Sequence, residues 1–141
     1  MEQSLQKAKL LLRSEEYTCV FLLQNGAPFC YKERGIKPLL AALNADMDTT
    51  NAVVADKVVG KAAAFLYALM KIKALFVITV SEPALAVLNS AGILVEYENL
   101  VPAIRNRDNT GGCPMESAVW DVESAEEARK VLEEKVKRMG I

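Results

Sequence analysis

The chain predicts an α/β fold, with helices on both faces of a mixed sheet forming a three-layer α/β/α sandwich. Three observations predict it. Residues 74–80, Ala-Leu-Phe-Val-Ile-Thr-Val, form a continuous apolar run, as expected for a strand buried on both faces. Pro83 then opens a helix over 83–90, and residues 93–97 supply another strand, parallel to its predecessor if the crossover has the usual right hand. Asn25-Gly26 sits between two apolar runs, the strongest short hairpin signal, and adds antiparallel strands.

The elements follow in order. Residues 2–13 place Leu5, Ala8, Leu11 and Leu12 on one face of an amphipathic helix. The hairpin strands occupy 17–23 and 28–32. Gly35 and Pro38 introduce a short helix over 39–43, and a polar turn covers 44–51. Residues 52–61 are ambiguous: the first are suited to an extended chain, while Asp56 has the character of an N-cap for a helix reaching about Lys71. Gly60 inside that helix would cost about 1 kcal/mol relative to alanine, which suggests close packing or close approach of a ligand. Residues 98–116 read as a long polar loop and 117–122 as a last strand. Ser124-Ala125-Glu126-Glu127 is a capping box that opens a charged helix through Arg138. Together, residues 1–141 read as one domain without repeats.

Composition excludes several classes of function. Hydrophobic residues make up 52% of the chain, enough for a layered core, but lysines interrupt every run before the roughly 20 residues of a membrane-spanning helix. No signal-peptide core follows the polar residues 1–7, so a soluble cytoplasmic protein is expected. Net charge is −1 with both signs scattered, unlike the basic stripe of a nucleic-acid binder. The three cysteines, Cys19, Cys30 and Cys113, lack Cys-x-x-Cys spacing and there is no histidine, so neither a disulfide framework, a metal nor another cofactor is expected.

The strand 74–80, Ser81-Glu82-Pro83 and the helix after it look like the zinc segment of cytidine-deaminase-type enzymes. The whole element order resembles that fold. The chain is also similar, over nearly its full length, to a family of uncharacterised prokaryotic domains with a cytidine-deaminase-like fold, through Val54-Ala55-Asp56-Lys57-Val58-Val59-Gly60-Lys61-Ala62-Ala63-Ala64 and Cys113-Pro114-Met115-Glu116. In the deaminases Pro is followed by Cys-x-x-Cys, and the first site helix begins with His-x-Glu. Here the cysteine positions are Ala84 and Val87, and Asp56-Lys57-Val58 stands in place of His-x-Glu. Zinc-activated water and its glutamate partner are therefore absent as a set. The family brings a fold but no established activity.

The resemblance places a site where the N-termini of two helices converge, and unpaired N–H groups there suit an anion. Asp56, Lys57, Gly60 and Lys61 mark the first helix, and Ser81 and Glu82 the second. Asp56 reads equally as a plain N-cap and as a site carboxylate. Lys57 and Lys61, four apart on the expected helix, read as an anion-binding pair or as solvated surface charge. The loop containing Asn106, Arg107, Gly111, Gly112, Cys113 and Glu116 is the other polar concentration. Cys113 is either a small packing residue or a thiolate nucleophile with Glu116, Asp56 or a lysine as base. Cys19 reads as core, and Cys30 fits either sheet face.

Two functions remain open. One is a non-catalytic or regulatory domain binding a small anionic, nucleotide-like metabolite through Lys57, Gly60, Lys61, Glu82, Asn106 and Arg107. The other is a metal-independent enzyme using Cys113 or Asp56. The resemblance also allows a homo-oligomer.

Overall fold

The computed structural model describes residues 2–14, 17–33, 35–104 and 114–140. Among the described residues eleven elements follow in chain order: α1 (Glu2–Ser14), β1 (Cys19–Leu22), β2 (Pro28–Tyr31), α2 (Lys37–Asn44), β3 (Val53–Val59), α3 (Lys61–Met70), β4 (Ala74–Ser81), α4 (Glu82–Ser90), β5 (Leu94–Val101), α5 (Pro114–Val119) and α6 (Ala125–Met139). The sheet has five strands in the order β2-β1-β3-β4-β5. β1 lies antiparallel to both β2 and β3, while β3, β4 and β5 are parallel. This is the mixed α/β sandwich the sequence predicts.

Side-chain alternation divides the core. Val20, Leu22, Ala55 and Phe76 meet Ala8 and Leu12 of α1 on one face. Phe21, Val54, Leu75 and Val77 meet the apolar sides of α2, α3, α4 and α6 on the other. Cys19 belongs to that second face, as expected of a core residue, and half-buried Cys30 packs on the α1 side. The Asn25-Gly26 turn forms as predicted, with Gly26 at φ +89° and the Asn25 side chain accepting from the Ala27 amide at 2.9 Å. Ser124 accepts from the Glu127 amide at 3.1 Å, the capping bond anticipated for α6.

Three expectations are corrected. Asp56 opens no helix: it lies inside β3, and α3 begins only at Lys61. The β-branched Val53, Val54, Val58 and Val59 find strand neighbours on both sides, a gain that outweighs the cap-like preference of one aspartate. Gly60 is therefore the junction between β3 and α3, and carries no mid-helix penalty. Residues 98–101 extend β5 rather than starting a loop. The strand expected over 117–122 is replaced by α5, which opens at Pro114 and buries Glu116 and Val119.

Ser81 ends β4 fully buried, and its hydroxyl accepts from the Ala84 amide at 3.2 Å to cap α4. Ser81→Ala leaves that buried donor without a partner. It should lower unfolding stability by about 1–2 kcal/mol in urea titration, with the slope unchanged.

Candidate functional site

β3 and β4 are adjacent and parallel, so α3 and α4 both begin at the same end of the sheet. In open α/β sheets this end, outside the carboxyl ends of the strands, is where ligands bind. The structure brings Gly60, Lys61 and Glu116 together there. Glu116 is buried, and its carboxylate accepts from the Lys61 amide at 2.6 Å and the Ala62 amide at 2.8 Å. These are the first N–H groups of α3, which no backbone partner within the helix can satisfy. An anion from α5 thus occupies the positive end of α3.

Gly60 is what admits it. A Cβ at this position would overlap the Glu116 carboxylate, although the backbone at φ −101° suits any residue. Burial pushes the Glu116 carboxyl above its usual pKa, while the Ala62 and Lys61 amides and the Lys61 charge pull it back. The Lys61 ammonium donates to the Trp120 carbonyl at 2.6 Å and lies 5.6 Å from the Phe65 ring centroid. α3, α5 and the turn after α5 are therefore tied together at Lys61.

Asp56 belongs to a second polar group, beneath α3. The Tyr67 hydroxyl donates to its carboxylate at 2.5 Å, and the Cys19 sulfur lies 3.3 Å from the same hydroxyl. Burial raises Asp56 from 3.8 to about 6, against hydrogen bonds from Tyr67 and from the Val58 and Lys57 amides that lower it. Burial, followed by the Asp56 charge, holds the Cys19 thiol well above its usual pKa, so it is no ready nucleophile.

Lys57 and Lys61 share no helix face, because one lies in β3 and the other starts α3. The Lys57 side chain is exposed, as is Glu82 in the first turn of α4. Asn106, Arg107 and Cys113 lie outside the described residues. Sequence reasoning missed Tyr67, the Trp120 carbonyl and the Glu116–Gly60 contact. Only Tyr67 left a signal: a tyrosine on an otherwise apolar helix needs a buried acceptor for its hydroxyl.

An open groove of about 470 Å³ runs beside Lys61, lined by Phe65, Pro83, Val87, Val122 and Glu123 among others. A larger groove, about 600 Å³, lies between α2 and α6 and includes none of the candidate residues. Among the described residues, no three cysteine, aspartate or glutamate side chains gather as a metal site would require.

Fold and site together define an α/β sandwich whose sheet end is closed by an internal carboxylate. The sequence model for a domain of unknown function, DUF1893, matches residues 7–136, and the chain belongs to that family. It is similar to a DUF1893 family protein from Thermotoga maritima, whose crystal structure aligns with a TM-score of 0.86 at 26% identity. The alignment covers 96% of this chain and 91% of that one. No curated protein matches the chain.

Gly60→Ala should cost on the order of 2 kcal/mol by forcing the Glu116 carboxylate off the α3 amides. The cost should depend on Glu116. In a double-mutant cycle by chemical denaturation, Gly60→Ala with Glu116→Ala should be little less stable than Glu116→Ala alone, a coupling above about 1 kcal/mol.

Asp56 also predicts a pH dependence. Its folded pKa lies above its unfolded one, so its contribution is fully present below pH 3.8 and is lost as pH rises through about 6. The full displacement corresponds to about 3 kcal/mol at most. Stability measured against pH should therefore fall less steeply between 3.8 and about 6 in Asp56→Asn than in the wild type.

Proposed function

We propose that the domain is a non-catalytic binding module for a small anionic, nucleotide-like metabolite, which competes with Glu116 for the N-terminus of α3. The observation that carries this reading is the Glu116 carboxylate seated on the Lys61 and Ala62 amides over Gly60. Two amides beside a glycine that lacks a Cβ form a cradle suited to a carboxylate or a phosphate oxygen. The groove beside Lys61 offers room for the rest of a small ligand, and its volume lies in the range of ligand pockets. Lys57, late in β3, and Glu82, in the first turn of α4, are both exposed, and this reading keeps them with Asn106 and Arg107 as candidate ligand-binding residues.

Kinship with the cytidine-deaminase-like fold is part of the same proposal. What supports it is the sheet order and the succession of β3, α3, β4 and α4. The deaminase metal chemistry has no counterpart in this reading, because the chain has no histidine and carries Ala84 and Val87 at the cysteine positions.

A second reading, a metal-independent enzyme, draws on the Asp56 carboxyl near pH 6 beside Tyr67. A carboxylate of that pKa suits a general base, with Cys113 as nucleophile and Lys57 and Lys61 holding the substrate.

Calorimetric titration with inorganic phosphate and nucleoside monophosphates separates these readings. Glu116→Gln should bind roughly tenfold tighter than the wild type, equivalent to about 1.4 kcal/mol, because the internal competitor is neutral. Lys61→Ala should bind more weakly. Absence of binding in both the wild type and Glu116→Gln would refute the binding reading. Product formation that Asp56→Asn or Cys113→Ser abolishes would establish the enzyme instead.

A further inference from the structure

β5 is an edge strand of a kind proteins usually protect. Among the described residues it pairs only with β4, so along eight residues its outer row of N–H and C=O groups has no strand beside it. Short length, proline and unpaired lysine are common protections. The opposite edge, β2, is four residues long and opens with Pro28. β5 has neither proline nor lysine, and it exposes three large apolar side chains: Leu94 at 54%, Tyr97 at 42% and Leu100 at 43%.

The charges on β5 do not guard it either. Glu96 is paired with Lys9 and Glu98 with Arg13, both from α1. The two cations cross the Phe76 ring, with Lys9 at 4.7 Å and Arg13 at 5.5 Å from its centroid. Each carboxylate thus arrives at the sheet edge already neutralised.

The strand is also complementary to itself. Leu94 and Leu100 lie three residues to either side of Tyr97. A two-fold axis perpendicular to the sheet relates two antiparallel edges and keeps each face continuous. With that axis at Tyr97, Leu94 lies opposite the second copy's Leu100, and Tyr97 lies opposite its own equivalent. Glu96 lies opposite the second copy's Glu98. Two glutamates facing each other would oppose pairing. Here the row reads Lys9, Glu96, Glu98, Arg13 across the seam, so its charges sum to zero.

We propose that β5 is a self-association edge, at which two copies of this chain pair antiparallel across a two-fold axis at Tyr97 and join two five-stranded sheets into one of ten strands. The apolar residues, the paired charges and the open backbone then all serve one isologous contact.

Sedimentation velocity of the full chain, from micromolar to submillimolar concentration, tests this. The expected result is a concentration-dependent dimer whose dissociation constant rises at least tenfold in Tyr97→Lys, with the circular dichroism spectrum unchanged. Under mild oxidation Tyr97→Cys should form a disulfide-linked dimer well above the wild-type background, and Phe29→Cys on β2 should not. A chain that stays monomeric throughout overturns the proposal, as does a dimer that Tyr97→Lys leaves intact. If Tyr97→Lys fails to fold, absence of the Tyr97→Cys cross-link overturns it.

Discussion

β3 runs between β1 and β4, bonded antiparallel to one and parallel to the other, and the candidate site takes its geometry from that strand. Because Val53 to Val59 are extended, Asp56 faces Tyr67 instead of capping a helix. Because the strand ends at Val59, Gly60 becomes the junction with α3, and the first amides of α3 open at the sheet end. Glu116 then closes that end from α5. A helix beginning at Asp56 would have removed all of these relationships at once.

The two carboxylates, Glu116 buried and Asp56 partly buried, meet the cost of desolvation differently. Glu116 is held by two helix amides and lies near the Lys61 charge, so the field of α3 favours its ionised form. Asp56 relies on a phenol and the amides of its own strand, a neutral environment that leaves its pKa raised to about 6. Both are satisfied internally: among the described residues no buried side-chain polar atom lacks a hydrogen-bond partner. The same economy governs Lys9 and Arg13, which stack on Phe76 and neutralise the two glutamates of β5.

Much of the fold was legible in the sequence because its signals are local. The apolar run of β4, Pro83 at the start of α4, the Asn25-Gly26 turn and the Ser124 cap each act within a few residues, and each took its predicted form. Misreadings arose where two local preferences competed. Asp56 resembles a cap and its neighbours resemble a strand, and pairing with β1 and β4 decided between them. Residues 117–119 suit either a strand or a helix, and burial of Glu116 and Val119 beside α3 decided for the helix.

The site divides along the same line. Gly60, Lys61 and Glu116 were identifiable singly, as residue types that bind anions or permit close approach. Their mutual contact spans 55 residues of chain, and no spacing rule connects positions so far apart. By itself, then, the sequence determined the layered α/β class, the Ser124 cap and hairpin turn, and the absence of histidine and of Cys-x-x-Cys spacing. Each of these follows from side chains acting on nearby backbone or from residues simply absent. Only the tertiary structure decided which carboxylate fills the α3 terminus, which tyrosine accompanies Asp56 and which strand, among the described residues, forms an open edge. Those outcomes depend on packing between distant segments, where the burial of a charge is settled by whatever partner the fold brings within hydrogen-bond reach.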